Sequence, residues 1–246
     1  MPPKQAPAPT LQLLPSTEAP YPSQLLDLTN WKLTLPQGSA KKPSRPEEIK
    51  QPELATYKID PWFVVASQGD GVRFRAPVNG VTTSGSGYPR SELREMVDNG
   101  EERASWSSTS GTHTMLLDEA ITAVPYTKKH VVAGQIHDSD DDIIVIRLEY
   151  PKLYVNVDGE NVHTLDSRYT LGKRFTVKFE VAEGQTKVYY NDSENPVFTL
   201  NKKYADAYFK AGAYTQSNCD REGASSPCNG GNYGEVVLYQ ALVTHN

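Results

Sequence analysis

Hydrophobic and polar residues alternate in short segments along most of the chain, for example at Val72–Arg75, Thr112–Leu117, Leu153–Val157, Phe175–Val181 and Gly234–Tyr239. Successive side chains of a β-strand point to opposite faces, so this period of two predicts strands with one buried face. Asn-Gly, Asp-Gly and Glu-Gly pairs separate the segments and predict tight turns. About a dozen such segments, without a strand–helix–strand rhythm, predict an all-β fold: a β-jelly roll sandwich of two antiparallel sheets.

Helices and domain boundaries leave weaker signals. Only Arg45–Ala55 and Lys202–Ala207 have patterns that fit short helices. Seven prolines fall within the first 22 residues, which predicts that residues 1–24 form an extended, disordered tail or linker. Because composition does not shift after Leu25, residues 25–246 are predicted to form a single domain.

The charge balance limits the possible partners. The chain has 25 Lys and Arg against 30 Asp and Glu, a net charge of −5. General attraction to nucleic acid or to an anionic membrane is therefore not expected, and a polyanionic partner would need a local basic groove. No apolar run is long enough to predict a membrane-spanning helix.

The two cysteines, Cys219 and Cys228, lie close together and belong to no Cys-x-x-Cys pair. This spacing favours a disulfide that closes a local loop over two free thiols. A disulfide would indicate an oxidising compartment, although the N-terminus lacks the apolar core of a secretory signal. We therefore expect a secreted protein whose leader has been removed or replaced.

Several familiar catalytic and metal-binding motifs are absent from the sequence. There is no His-Glu-x-x-His, no Gly-x-Ser-x-Gly and no phosphate-binding glycine loop. Asp138–Asp142 and Glu149 have the acidic spacing of a calcium loop, but Ile143 stands where that loop needs glycine. A solvated acidic loop is favoured over a calcium site, and we expect neither a metal nor another cofactor.

Three segments carry polar side chains that alternation places on one face. In Arg90–Met96, the residues Arg90, Glu92 and Arg94 share a face, so that one carboxylate can orient two guanidinium groups. A surface ladder of ion pairs would have the same pattern. This segment alone therefore does not decide between structure and function.

The second segment places Gln135 and His137 on one face and Ile136 on the other. In isolation, a histidine in a strand is more often structural than catalytic. The third segment, Ala207–Gln216, places on one face the residues Tyr208, Lys210, Gly212, Tyr214 and Gln216. The glycine would leave room for a ligand to approach the backbone, whereas the alternative is an ordinary amphipathic strand.

Together, the three polar faces would form a basic groove suited to a carboxylated sugar, with the acidic residues lying elsewhere. Neutralising a uronate carboxylate stabilises the enolate-like transition state of proton removal from carbon 5. His137 could take that proton and Tyr214 could protonate the leaving glycosidic oxygen. A hydrolase would instead need two carboxylic acids about 5 to 9.5 Å apart, and these faces supply only Glu92.

The three motifs resemble those of polysaccharide lyase family 7, the alginate lyases. They are Arg90-Ser-Glu-Leu-Arg-Glu95, Gln135-Ile-His137 and Tyr208-Phe-Lys-Ala-Gly-Ala-Tyr-Thr-Gln216. Asn30–Pro36 and Asn232–Val237 resemble the flanking strands of that family in the same order. The resemblance covers the chain from about Leu25 to its end.

This resemblance implies a jelly roll whose concave sheet binds alginate, a polymer of mannuronate and guluronate, and cleaves it endolytically by β-elimination. By position, Arg90 and Gln135 would neutralise the carboxylate, His137 would be the base for guluronate and Tyr214 the acid. For mannuronate, Tyr214 would act as both base and acid. Glu92 would orient the arginines. Further substrate-binding positions would be Arg94, Tyr208, Lys210 and Gln216.

In that family, isoleucine between the glutamine and the histidine accompanies activity on guluronate-containing substrate, so Ile136 favours guluronate blocks. We expect a monomer that binds alginate. Two other classes remain open at the level of sequence. A jelly-roll carbohydrate-binding module would hold the polymer without cutting it, and a glucanase would hydrolyse its substrate.

Overall fold

A computed structural model of the chain describes residues 21–246, which form sixteen β-strands and only short helices. The strands are β1 (Trp31–Ser39), β2 (Lys42–Ile49), β3 (Phe63–Val65), β4 (Val72–Pro77), β5 (Arg90–Val97), β6 (Glu102–Arg103), β7 (Thr112–Ala123), β8 (His130–His137), β9 (Asp142–Glu149), β10 (Lys152–Val157), β11 (Glu160–Asp166), β12 (Phe175–Ala182), β13 (Gln185–Tyr190), β14 (Phe198–Asn201), β15 (Tyr208–Thr215) and β16 (Tyr233–His245). The one α-helix, α1, spans Cys219–Glu222. Three 3-10 helices span Pro22–Gln24, Glu53–Thr56 and Asp98–Gly100.

The strands form two antiparallel sheets. The first has nine strands in the order β11-β10-β9-β8-β15-β5-β1-β2, with β6 paired to β5. The second has seven strands in the order β14-β13-β12-β7-β16-β4-β3. Hairpin-connected strands at the sheet edges alternate with central pairs that are far apart in sequence, such as β8 with β15 and β16 with β4, as in a jelly roll. The predicted all-β fold of two antiparallel sheets is confirmed.

The core lies between the sheets and is built by strand alternation. In β12, Phe175, Val177, Phe179 and Val181 are buried, and the residues between them are half-exposed. Each such side chain contributes about 1.5–3 kcal/mol when it leaves water. A shift of register by one residue would turn this face outward, so the pattern fixes which side of each strand faces the other sheet.

The two helix predictions are wrong. Within Arg45–Ala55, the first residues belong to β2, and Pro46 is compatible with this strand because β2 lies at the edge of its sheet. Only a 3-10 turn follows it. Lys202–Ala207 forms no helix, because Ala207 pairs with Trp106 through two backbone hydrogen bonds of 3.0 and 2.9 Å.

The end of the predicted tail packs against the rest of the structure. Residues 22–24, expected in the tail, form a 3-10 helix in which Pro22 is buried. The Ser23 hydroxyl donates a hydrogen bond to the Ala55 carbonyl at 2.5 Å. Residues 1–20 of the predicted tail lie outside the described residues.

Two further expectations concern the cysteines and membranes. Cys219 and Cys228 form a disulfide bond, as predicted. It joins the first residue of α1 to the loop that follows the helix. In residues 21–246, no helix is long and apolar enough to cross a membrane.

Candidate active site

The candidate site is a cleft on the face of the nine-stranded sheet that points away from the core. Its cavity has a volume of about 730 Å³. The floor comes from the adjacent strands β8, β15, β5 and β1, and the loops 82–88 and 138–141 form parts of the rim. All three sequence segments with polar faces therefore meet in one place.

Antiparallel register brings the polar side chains side by side. Gln135 lies opposite Lys210, Lys210 opposite Arg94, and Arg94 opposite Lys32. Residues directly opposite each other in neighbouring strands have Cβ atoms about 4.5–5.5 Å apart. This row therefore crosses four strands and places three cations and one amide along the floor.

Glu92 lies at the centre of this cluster and is only 1% exposed. It accepts hydrogen bonds from Arg90 Nη1 at 3.0 Å, from Lys210 Nζ at 2.6 Å and from the amide of Gln135. Burial alone would raise the pKa of Glu92, but the charges of Lys210 and Arg90 and these hydrogen bonds hold it below its ordinary value. Burial likewise lowers the pKa of Lys210, to about 8. The carboxylate thus fixes three donors.

The sequence predicts that Glu92 orients both arginines, but other groups hold Arg94. Its guanidinium donates to the Glu95 carbonyl at 2.6 Å and to the Ala104 carbonyl at 3.2 Å. The same group stacks 3.9 Å from the ring centroid of Tyr208. Lys210 takes the position beside Glu92 that the sequence pattern assigned to Arg94.

His137 ends β8 and faces the cleft. Its Nδ1 lies 2.7 Å from the Asp138 carbonyl oxygen and 3.2 Å from the Tyr208 hydroxyl, and its ring stacks on that of Tyr208. Because a carbonyl accepts only, Nδ1 carries the proton and Nε2 has a free lone pair. Burial and the charges of Lys210 and Arg90 lower the pKa of His137, so the ring is neutral at pH 7.

Tyr214 lies on β15, the strand paired with β8, and lines the same cleft as Gln135 and His137. The guanidinium carbon of Arg90 is 3.9 Å from the centroid of its ring. Its hydroxyl oxygen is 2.9 Å from Ser86 Oγ. Burial raises the pKa of Tyr214 above its ordinary value, so the phenol is protonated at neutral pH.

Two residues of the third segment differ from expectation. Gln216 follows β15, and it does not line the cavity. Gly212 has φ of +132°, and a Cβ there would lie 2.7 Å from the Ser91 carbonyl oxygen and 3.0 Å from Glu92 Cα. The missing side chain therefore lets β5 approach β15 closely, rather than leaving room for a ligand.

Acidic residues also line the cleft, contrary to the expectation that they would lie elsewhere. The cavity lining includes Asp140 and Asp141 in the loop after His137, Asp142 at the start of β9, and also Asp206 and Glu48. Burial and the neighbouring Asp141 raise the pKa of Asp142 to about 6. The basic floor is thus bordered by negative charge.

Lys32, Arg103 and Ser86 are among the cleft residues that the sequence reasoning missed. Lys32 stands between the apolar residues Trp31 and Leu33 in the sequence. In the structure it is buried and forms an ion pair with Glu48. Arg103 and Ser86 lie in or beside loops, where no alternation of polar and apolar residues indicates which side chains face the cleft. Alternation in β1 does place Lys32 on the polar side, so that signal was present.

Comparisons with known proteins agree with this arrangement. A family model described as "Alginate lyase" matches residues 26–245. An alginate lyase of Klebsiella pneumoniae is 32% identical and aligned over 94% of each chain. The alginate lyase from Corynebacterium sp. is 54% identical, with a TM-score of 0.85 over 92% of this chain and 98% of that chain.

Alginate lyase AlgAT5 from polysaccharide lyase family 7 is 52% identical, with a TM-score of 0.85 over 92% of this chain and 99% of that chain. A more distant family 7 alginate lyase, described in complex with a substrate (GGMG), is 27% identical, with a TM-score of 0.75 over 93% of this chain and 97% of that chain. The match to the family model covers nearly all of the described chain. The chain belongs to the alginate lyases of polysaccharide lyase family 7.

Proposed function

We propose that this alginate lyase cleaves the 1,4-glycosidic bonds of alginate endolytically by β-elimination and leans to guluronate-containing blocks. The observation that carries the proposal is a neutral imidazole and a protonated phenol, His137 and Tyr214, facing one cleft around a fixed group of carboxylate-binding donors. Each new chain would begin with a 4,5-unsaturated uronate at its non-reducing end.

The first task is to neutralise the substrate carboxylate. Arg90 and Gln135 both face the cleft, and Glu92 holds both through hydrogen bonds. Donors fixed in advance need no reorganisation when charge moves onto the carboxylate during proton removal. The carbon-5 hydrogen of the bound sugar thereby becomes acidic enough to be taken by a neutral base.

The second task is proton transfer. On guluronate, Nε2 of His137 takes the carbon-5 proton, and the electrons of that bond form the carbon 4–carbon 5 double bond. The bond from carbon 4 to the glycosidic oxygen breaks, and Tyr214 protonates that oxygen. On mannuronate, whose carbon-5 hydrogen lies on the other side of the ring, the ionised form of Tyr214 would take that proton and then, as the phenol, deliver it to the glycosidic oxygen when the bond to carbon 4 breaks.

The remaining cleft residues would bind neighbouring sugar units. Arg94, Tyr208 and Lys210 line the floor beside the reacting position, and Gln216 would act beyond the end of β15. The guluronate preference is linked to Ile136, which is fully buried. Any influence of its side chain therefore passes through the backbone positions of Gln135 and His137. The disulfide supports the further proposal that the protein is secreted.

The direct test follows the ultraviolet absorbance of the new conjugated double bond on guluronate-rich and mannuronate-rich alginate side by side. Tyr214→Phe should lower turnover on both by at least about 100-fold, because losing the hydroxyl removes the acid on guluronate and both the base and the acid on mannuronate. Tyr150→Phe, at an exposed tyrosine, is the matched control. Substantial activity of Tyr214→Phe would show that the acid is misassigned.

His137→Ala distinguishes the two substrates. Guluronate cleavage should fall much more than mannuronate cleavage, since only the former needs the imidazole as base. Equal losses on both substrates would contradict the base assignment. Binding without any rise in absorbance would instead indicate a non-catalytic binding module, and new reducing ends without absorbance would indicate a hydrolase.

A further inference from the structure

The loop between β4 and β5 places a hydroxyl group against the phenol of Tyr214. Ser86 Oγ lies 2.9 Å from the Tyr214 hydroxyl oxygen. The same Oγ is 3.0 Å from the backbone nitrogen of Tyr88 and 3.3 Å from its carbonyl oxygen. Ser86 also lines the cleft, so this contact is at the reacting position.

Either hydroxyl can be the donor in this contact, and the other contacts of Ser86 determine what each arrangement leaves free. The Tyr88 N–H can only donate, so Ser86 Oγ accepts there. The Ser86 hydrogen can point to the Tyr88 carbonyl or to Tyr214, and the contact with Tyr214 is the shorter one. When Ser86 donates to Tyr214, the phenol hydrogen is free to point into the cleft.

We propose that Ser86 is a positioning residue for Tyr214: its hydroxyl directs the phenol proton toward the glycosidic oxygen and stabilises the phenolate left after transfer. The inference rests on the proposed role of Tyr214 as the acid. A hydrogen bond to an ionised acceptor is stronger than one to a neutral acceptor. The Ser86 contact therefore strengthens as the proton leaves, which favours the transition state over bound substrate.

The loop is held in this position from outside. Asn218 Nδ2 donates to the Gly87 carbonyl at 3.0 Å, and Lys128 Nζ donates to the Tyr88 hydroxyl at 3.0 Å. The Thr215 N–H donates to the Pro89 carbonyl at 3.1 Å. Residues on both sides of the Ser86–Tyr214 contact are thus fixed relative to β15.

The test compares Ser86→Ala with Ser86→Thr, which keeps the hydroxyl, and with Ser167→Ala, at an exposed serine outside the cleft. Ser86→Ala should lower kcat roughly 10- to 100-fold with little change in KM. Ser86→Thr should keep most activity, and Ser167→Ala should match the unaltered enzyme.

The pH profile separates this role from a structural one. Ser86 lowers the pKa of Tyr214 by donating to it, so its loss should move the alkaline limb of kcat to higher pH. An unchanged kcat, an unmoved limb, or equal losses in the alanine and threonine variants would overturn the inference. If Tyr214→Phe is itself active, the proposed function fails instead. An inactive Tyr214→Phe beside an unaffected Ser86→Ala refutes only the positioning role.

Discussion

Burial and neighbouring charges together set the pKa values of side chains in the cleft, and His137 shows the consequence for catalysis. Its carbonyl contact fixes the tautomer, while burial lowers its pKa. A base acts when it is neutral, so a lowered pKa extends activity to lower pH.

We therefore expect kcat/KM on guluronate-rich substrate to fall on the acid side only below pH 6.5, the ordinary value for histidine. Mannuronate-rich substrate, for which ionised Tyr214 is the proposed base, should not follow the histidine, and its kcat/KM should instead keep rising with pH above neutrality. Initial rates across the pH range on both substrates provide the measurement. An acid midpoint above pH 6.5 would contradict the assignment.

Glu119 is a fully buried carboxyl group on the core side of β7, and neither of its oxygens has a hydrogen-bond partner within residues 21–246. Burial, with a smaller contribution from Asp118, raises its pKa to about 8. The group is therefore neutral in the folded protein at pH 7 but ionised in the unfolded chain. Stability associated with it is present below pH 4.5 and is lost as pH rises toward 8.

Glu119→Gln should remove this loss, increasing the free energy of unfolding at pH 7 by on the order of 3 kcal/mol and changing it little at pH 4.5. Urea unfolding at both pH values measures the difference. Glu194→Gln, at an exposed position, is the control and should have no such pH dependence. An equal effect of Glu119→Gln at both pH values would refute the explanation.

At the scale of elements, alternation predicted faces correctly but could not predict neighbours. It placed Arg90, Glu92 and Arg94 on one side of β5, and the structure agrees. Which cation meets Glu92 depends on the strand beside β5, and that strand, β15, is more than a hundred residues away in sequence. For the same reason, no local sequence pattern predicted the contact between Ser86 and Tyr214.

Gly212 lies where β5 and β15 pair, so a substitution there should affect both stability and catalysis. Gly212→Ala should weaken the β5–β15 contact, because the new Cβ would meet backbone atoms at 2.7–3.0 Å in addition to the strain of a positive φ. We expect a loss of roughly 2 kcal/mol or more in stability and a fall in kcat as Arg90 and Tyr214 separate. Gly172→Ala, with positive φ but open space, controls for strain alone. Equal effects of both substitutions would show that close approach is not the cause.

At the scale of the whole molecule, a net charge of −5 coexists with a cleft that has a basic floor. Composition could exclude general attraction to polyanions but could not locate the charges, since their positions follow from strand order. Composition also gave no reason to expect Asp140–Asp142 on the rim of the cleft. The polymer therefore meets repulsion at the rim before it reaches the cations on the floor.

This arrangement predicts how salt affects the enzyme. The variant Asp140→Asn/Asp141→Asn should raise kcat/KM several-fold at low ionic strength, because the floor cations would then attract the polymer without opposition. Near 1 M salt, where screening acts over about 3 Å, the variant and the unaltered enzyme should converge. Asp192→Asn/Glu194→Gln removes the same charge from exposed positions outside the cleft and serves as the matched control. If the two double variants respond alike, net charge and not the rim governs association.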